Sequence, residues 1–117
     1  MGFIHVDVDV LNPTDSDVSE RVRVMVDTGA TLSILPSSVL ERLGIQRISR
    51  RRFQGFGGVV TREVGAANMR YAGEVAGVTV VFGAEDDPPI LGVTALEVLG
   101  FEVDPVKGRL NRVDMLI

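Results

Sequence analysis

Residues 24–36 read VMVDTGATLSILP. A carboxylate, Asp27, ends an apolar strand, and a hydroxyl and the two smallest residues follow it: Thr28, Gly29, Ala30. A half-buried acid is costly unless it is hydrogen-bonded or useful. Here Thr28 supplies a hydroxyl, and Gly29 an N–H without side-chain bulk. An acid held this way can act as the base that activates water. One carboxylate accepts a proton or donates one, and hydrolysis of a peptide bond needs both. Two carboxylates close together solve this, because repulsion splits their titration and leaves one ionised and one protonated. The chain has a single Asp-Thr-Gly, so a second acid of this kind must come from another subunit about a two-fold axis. The alternative for Asp27 is a turn aspartate that only caps its own loop.

The composition narrows the chemistry. The chain holds 117 residues, which suits one domain spanning 1–117. With no cysteine and one histidine, disulfides, thiolate metal sites and a multi-histidine metal site within one subunit are excluded. No metal or organic cofactor is expected. A Ser-His-Asp mechanism would have to use His5, which sits inside an alternating strand. The net charge of −4 argues against a nucleic-acid partner, since phosphate binding needs a basic face. Residues 1–10 lack the pattern of a signal peptide, and no 18-residue apolar run exists to span a membrane. The expectation is a soluble, cytoplasmic protein with no membrane partner.

The elements that must position Asp27 read as strands. Valine abundance with 13 glycines favours β structure. Residues 3–10, FIHVDVDV, put Ile4, Val6, Val8 and Val10 on one face. Residues 12–17, NPTDSD, form a loop, and SERVRVMV alternates again, so the first two strands form a hairpin. Leu32 to Leu35 make a short strand that ends at Pro36. Residues 37–43 form two turns of helix, with serines to cap it and Gly44 to stop it. Ile45 to Arg52 are a strand, and FQGFGGVV, 53–60, is a hairpin whose glycines keep its tip mobile. Further strands cover 64–83, EDDPP is an acidic loop, and Ile90, Leu91 and Gly92 return to the core. Residues 93–99 are a helix with Thr94 as cap, Glu97 three later and Gly100 as stop. FEVD, the turn DPVKG and a strand from Arg109 to Ile117 close an all-β chain with one or two short helices.

Three motifs in order carry a resemblance: Asp27-Thr28-Gly29-Ala30 after an apolar strand, Gly55-Phe56-Gly57-Gly58-Val59-Val60, and Ile90-Leu91-Gly92 ahead of a helix. The chain resembles the retropepsins, single-domain homodimeric aspartic proteases, and looks more like their cellular and prokaryotic relatives than the viral enzymes. The resemblance implies a closed β-barrel or sandwich with a glycine-rich flap hairpin, and an endopeptidase whose water is held by two Asp27 carboxylates. It implies that Thr28 hydrogen-bonds across the two-fold and that Gly29 contacts substrate backbone. It also implies that the flap, 53–62, closes over an extended peptide through groups such as Gly57 and Gly58. Ala30, Val59, Val60 and Ile90 would line apolar pockets, and Val113 to Ile117 would pair with the partner. Viral enzymes usually carry Asp and Arg where this chain has Thr31 and Val93. Both charges are absent together, which strands neither.

Other residues read plainly. His5 is an exposed strand residue, Arg50, Arg51 and Arg52 are a solvated face at the flap base, and Asp7, Asp9, Asp86 and Asp87 are surface charges. Asp86 and Asp87 without a third ligand make a weak metal case. The alternative function is a non-catalytic dimer of the same fold that binds extended peptides or partner proteins.

Overall fold

The computed structural model describes residues 3–55 and 57–117, so Phe56 of the expected flap lies outside the described residues. β1 (His5–Asn12) and β2 (Asp15–Val26) form the expected hairpin, with Val8 opposite Val22 and Val6 opposite Val24. The loop expected over 12–17 is shorter, only Pro13 and Thr14. Asn12 makes the tight turn possible: its Oδ1 accepts from the Thr14 N–H and hydroxyl, each at 2.8 Å. Its Nδ2 donates to the Leu43 carbonyl.

β3 (Ser33–Pro36) runs into α1 (Ser37–Arg42). The expected serine cap is absent: Pro36 is the N-cap, and the Ser37 hydroxyl donates instead to the Gly83 carbonyl at 2.7 Å. Gly44, at φ 73°, stops the helix as its type predicts. Ile45 is buried in the core and its N–H bonds back to Leu40, so the next strand starts later than expected, as β4 (Ser49–Gly55). β5 (Gly58–Tyr71) and β6 (Glu74–Gly83) follow as a long hairpin, turned by Ala72 and Gly73, both at positive φ.

β7 (Ile90–Leu91) is two residues long and precedes α2 (Val93–Leu99). Thr94 is not the cap of α2. Gly92 takes that position, with no side-chain hydrogen bond, and Gly100 ends the helix in the left-handed region. β8 (Phe101–Asp104) and β9 (Arg109–Arg112) pair separately around the DPVKG turn, where Asp104 Oδ1 accepts the N–H groups of Val106 and Lys107. The last strand stops at Arg112. Residues 113–117 are exposed and lie outside any strand of this chain.

Seven strands run in the order β1-β2-β7-β3-β6-β5-β4, and β1 also pairs with β5. Six strands therefore close into a ring, and β4 hangs outside it on β5. Val8, Val10, Val24, Leu35, Met69 and Val80 fill the ring at 0 % exposure. Alternation on β1 and β2 predicts this core because every second side chain points inward.

Ring closure carries a charge clamp. Asp9 lies directly opposite Arg21 on β2 and Arg70 on β5. Its two oxygens take both guanidinium groups, at 3.1 Å from each. Asp9 is thus a joint between three strands, where alternation alone marked it as surface charge. Arg21 beside it lowers its pKa, burial raises it, and Arg70 adds to the lowering, so the carboxyl titrates below the usual range. A depressed folded-state value stabilises the fold above the ordinary aspartate range, and that stabilisation is lost as pH falls through the folded value. Asp9→Asn is expected to cost about 1 kcal/mol at neutral pH, most of the pair being solvent-screened. Urea unfolding across a pH series checks it: the gap between wild type and variant closes as the acid protonates.

Candidate active site

The chain leaves β2 at Val26, loops through 27–32 and re-enters the sheet as β3. β7 lies between those two strands, parallel to β2 through Met25–Ile90 and Val26–Leu91, and antiparallel to β3 through Ile34–Ile90. The loop must therefore pass over the end of β7, where Gly92 sits. A Cβ built on Gly92 would lie 2.6 Å from the carbonyl carbon and oxygen of Leu32 and 3.0 Å from the Ala30 oxygen. The φ of Gly92 is −87°, so glycine is required there for space and not for conformation.

Backbone bonds fasten the crossing on both sides. The Asp27 N–H donates to Leu91 O at 3.0 Å, and the Val93 N–H to Ala30 O at 2.8 Å. The Gly92 N–H donates to Ser33 Oγ at 3.0 Å, and Ser33 is fully buried. Thr31 O accepts both the Thr94 N–H at 3.2 Å and its hydroxyl at 2.7 Å. The first turn of α2 therefore holds the loop through main-chain groups at the two positions, Thr31 and Val93, that lack the viral charges.

Asp27 emerges half-buried from this knot. Its Oδ1 accepts the Gly29 N–H at 2.9 Å, and its carbonyl accepts the Ala30 N–H at 3.2 Å. A Cβ on Gly29 would come within 3.2 Å of that same carboxylate oxygen, so glycine lets the backbone close on the acid. Thr28 and Gly29 are exposed. The Thr28 hydroxyl has no partner among the described residues, which leaves it free to bond outside the chain.

A cleft of about 600 Å³ opens beside this loop. Gly29, Ala30, Thr31, Leu32 and Ile34 form its floor, and Phe53, Gly55 and Val60 its hairpin side. Of the site residues expected from the sequence, Gly29, Ala30 and Val60 line the cleft, while Asp27 and Thr28 precede its floor on the same loop without lining it. Gly57, Gly58 and Val59 lie at the far end of the hairpin, where Gly58 adopts φ 111° and so needs to be glycine. Ile90 is 5 % exposed, sealed between β2 and β3, and in this chain it supports the loop from below.

Sequence reading passed over Ser33 and took Asp87 for a surface charge. Ser33 carries no signal of its own, since its burial depends on the crossing. Asp87 is half-buried: its Oδ2 accepts the Ala84 N–H at 2.8 Å and the Arg62 Nε at 3.1 Å. Burial raises its pKa, and the Ala84 N–H with Arg62 outweighs that and holds it below the usual range. Among the described residues no group of three or more acids and histidines could hold a metal ion.

This arrangement defines a class. The aspartyl protease family matches residues 8–102, and the chain belongs to that family. Its fold is the retropepsin fold. The EIAV protease, solved in complex with the inhibitor HBY-793, is similar over 85 % of this chain and 89 % of its own, at 24 % identity and a TM-score of 0.64. The simian foamy virus (mac) protease, a solution structure, is similar over 81 % of this chain and 91 % of its own, at 15 % identity and a TM-score of 0.55. No curated protein sequence matches.

Two substitutions test the crossing. Gly92→Ala should destabilise the fold by about 2–3 kcal/mol through overpacking against backbone. Ser33→Ala should cost about 2 kcal/mol by leaving the buried Gly92 N–H without an acceptor. Chemical denaturation of both variants reads these losses directly.

Proposed function

We propose that the protein is an aspartic endopeptidase, active as a homodimer in which Asp27 of each subunit holds one shared attacking water. The observation that carries this reading is the Asp27 loop. A single carboxylate is fixed by the Gly29 N–H on a loop braced from beneath by Gly92, at the rim of an open cleft that a hairpin overhangs. One such acid per chain completes the chemistry only when a second copy supplies another. The ionised Asp27 takes a proton from water as the oxygen attacks the peptide carbonyl, and its protonated counterpart donates to that carbonyl. Thr28 bonds across the two-fold and keeps the two loops in register. Extended substrate backbone lies between the floor at Gly29–Thr31 and the hairpin, whose main-chain groups bond it.

Exposed apolar residues support the assembly. Phe3, Met115, Leu116 and Ile117 are 77 %, 60 %, 102 % and 126 % exposed, and a second copy would cover them by strand pairing of the tails. Removing residues 113–117 is expected to shift the protein to monomer in sedimentation and to abolish activity together with the dimer.

Asp27→Asn should lower peptide cleavage by about a thousandfold or more, with fold and sedimentation unchanged. Mass spectrometry of a mixed peptide library at mildly acid pH reads the products. Cuts by wild type and none by the variant sustain the protease. Peptide binding with no cuts by either would favour the binding protein of the same fold. The rate should follow a bell in pH on the acid side of neutral, since one carboxyl is charged and its partner is not. A profile flat into alkaline pH would oppose the shared-proton mechanism.

A further inference from the structure

The hairpin side of the cleft is polarised along its length. Cross-strand partners share a face, and three pairs step outward from the tip on the cleft side: Gly55–Gly58, Phe53–Val60 and Arg51–Arg62. The middle pair is apolar. The outer pair places two guanidinium groups directly opposite each other, an arrangement that destabilises a two-stranded hairpin by itself. Arg62 is already occupied, by Asp87 at 3.1 Å and by the Thr61 carbonyl at 3.1 Å. Arg51 has no carboxylate within 4 Å among the described residues, although it lines the same cleft. Arg52 pairs with Thr61 on the opposite face, so on the cleft face two cations, Arg51 and Arg62, meet one acid, Asp87. A cleft floor of Gly29, Ala30, Leu32 and Ile34 offers this excess of charge no anion.

We infer that Arg51, flanked by Arg62, forms an acid-selective subsite for a glutamate or aspartate side chain of the bound peptide. The inference rests on the reading of the cleft as a peptide site. A guanidinium takes a carboxylate through two parallel N–H donors, and the cross-strand repulsion is relieved when that carboxylate arrives. The subsite is set by distance. Each two-residue step along a strand is about 6.6 Å, so Arg51 lies one step farther from the hairpin tip than Phe53. Apolar residues are therefore accepted nearer the tip, and the acid is accepted outside them.

Binding tests this separately from cleavage. Full-length Asp27→Asn protein is titrated with fluorescein-labelled decapeptides, apolar at the centre, in which each flanking position in turn is Gln or Glu. Glu is expected to bind about five- to tenfold tighter than Gln at one flanking position in low salt, with the advantage shrinking as salt rises. Arg51→Gln should erase that difference, and Arg51→Glu should turn it into a preference for Lys at the same position. Equal affinity for Glu and Gln at every position overturns the subsite, as does a preference that survives Arg51→Gln. The salt dependence of the unsubstituted Arg51 protein decides the matter if either variant fails to fold. An Arg51-dependent Glu preference in a protein whose wild type cuts nothing would sustain the subsite and defeat the hydrolysis. Cleavage without a Glu preference would do the reverse.

Discussion

The structure depends on one close approach, the passage of the 27–32 loop over Gly92. Two strands that follow each other in the chain are separated in the sheet by a third that arrives some sixty residues later. The loop can join them only by crossing the end of that third strand at backbone contact distance. A single methyl group at position 92 would lift the loop off its support. With the loop down, the N–H groups of Asp27, Gly92 and Val93 all find acceptors across the crossing. The acid is thereby fixed by main chain on both sides, which loop sequence alone cannot supply. Loop geometry built this way is stiff because it shares its hydrogen bonds with the sheet.

How much of this was legible beforehand follows from the range of each interaction. Strands β1, β2, β5 and β6 were readable because a strand with one buried face writes its period into the chain. The helix stops at Gly44 and Gly100 were readable because a positive φ restricts the residue type. Helix starts were misread at Ser37 and Thr94 for one reason. Each hydroxyl has a better acceptor on a distant strand or loop, Gly83 O and Thr31 O respectively, and local capping rules cannot see it. Asp9 and Asp87 were misread likewise, their arginines lying 12 to 61 positions away. Asp27-Thr28-Gly29 was legible as a motif. The cleft beside it was only half legible, since Phe53, Arg51 and Arg62 acquire their roles from hairpin register.

Four paired carboxylates of the framework share a tendency. Asp9, Glu20, Asp87 and Asp104 all titrate below the usual carboxylate range. The leading opposing or favourable causes are Arg21 at Asp9, Arg42 at Glu20, burial offset by the Ala84 N–H at Asp87, and the Lys107 N–H at Asp104. Their pairings therefore persist further into acid solution than ordinary carboxylates would allow.

The position of β4 outside the closed ring has a mechanical consequence. From Val64 inward, β5 is bonded to β6, and from Glu63 outward it is bonded to β4 alone. The hairpin is therefore a lever arm, and its fulcrum lies at the edge of the ring. Gly65, just behind that edge, is pressed against Gln46, Ile45 and Phe82 so closely that no side chain fits, and the Ile48 N–H clamps Val64 O at 2.8 Å. Phe53 and Arg51 lie ahead of this clamp on the arm, which the Arg62–Asp87 and Arg47–Glu63 pairs tie back to the body. The arm is thus held to the body by a two-stranded ribbon and two surface ion pairs, while the hydrogen bonds that close the ring all lie behind the clamp.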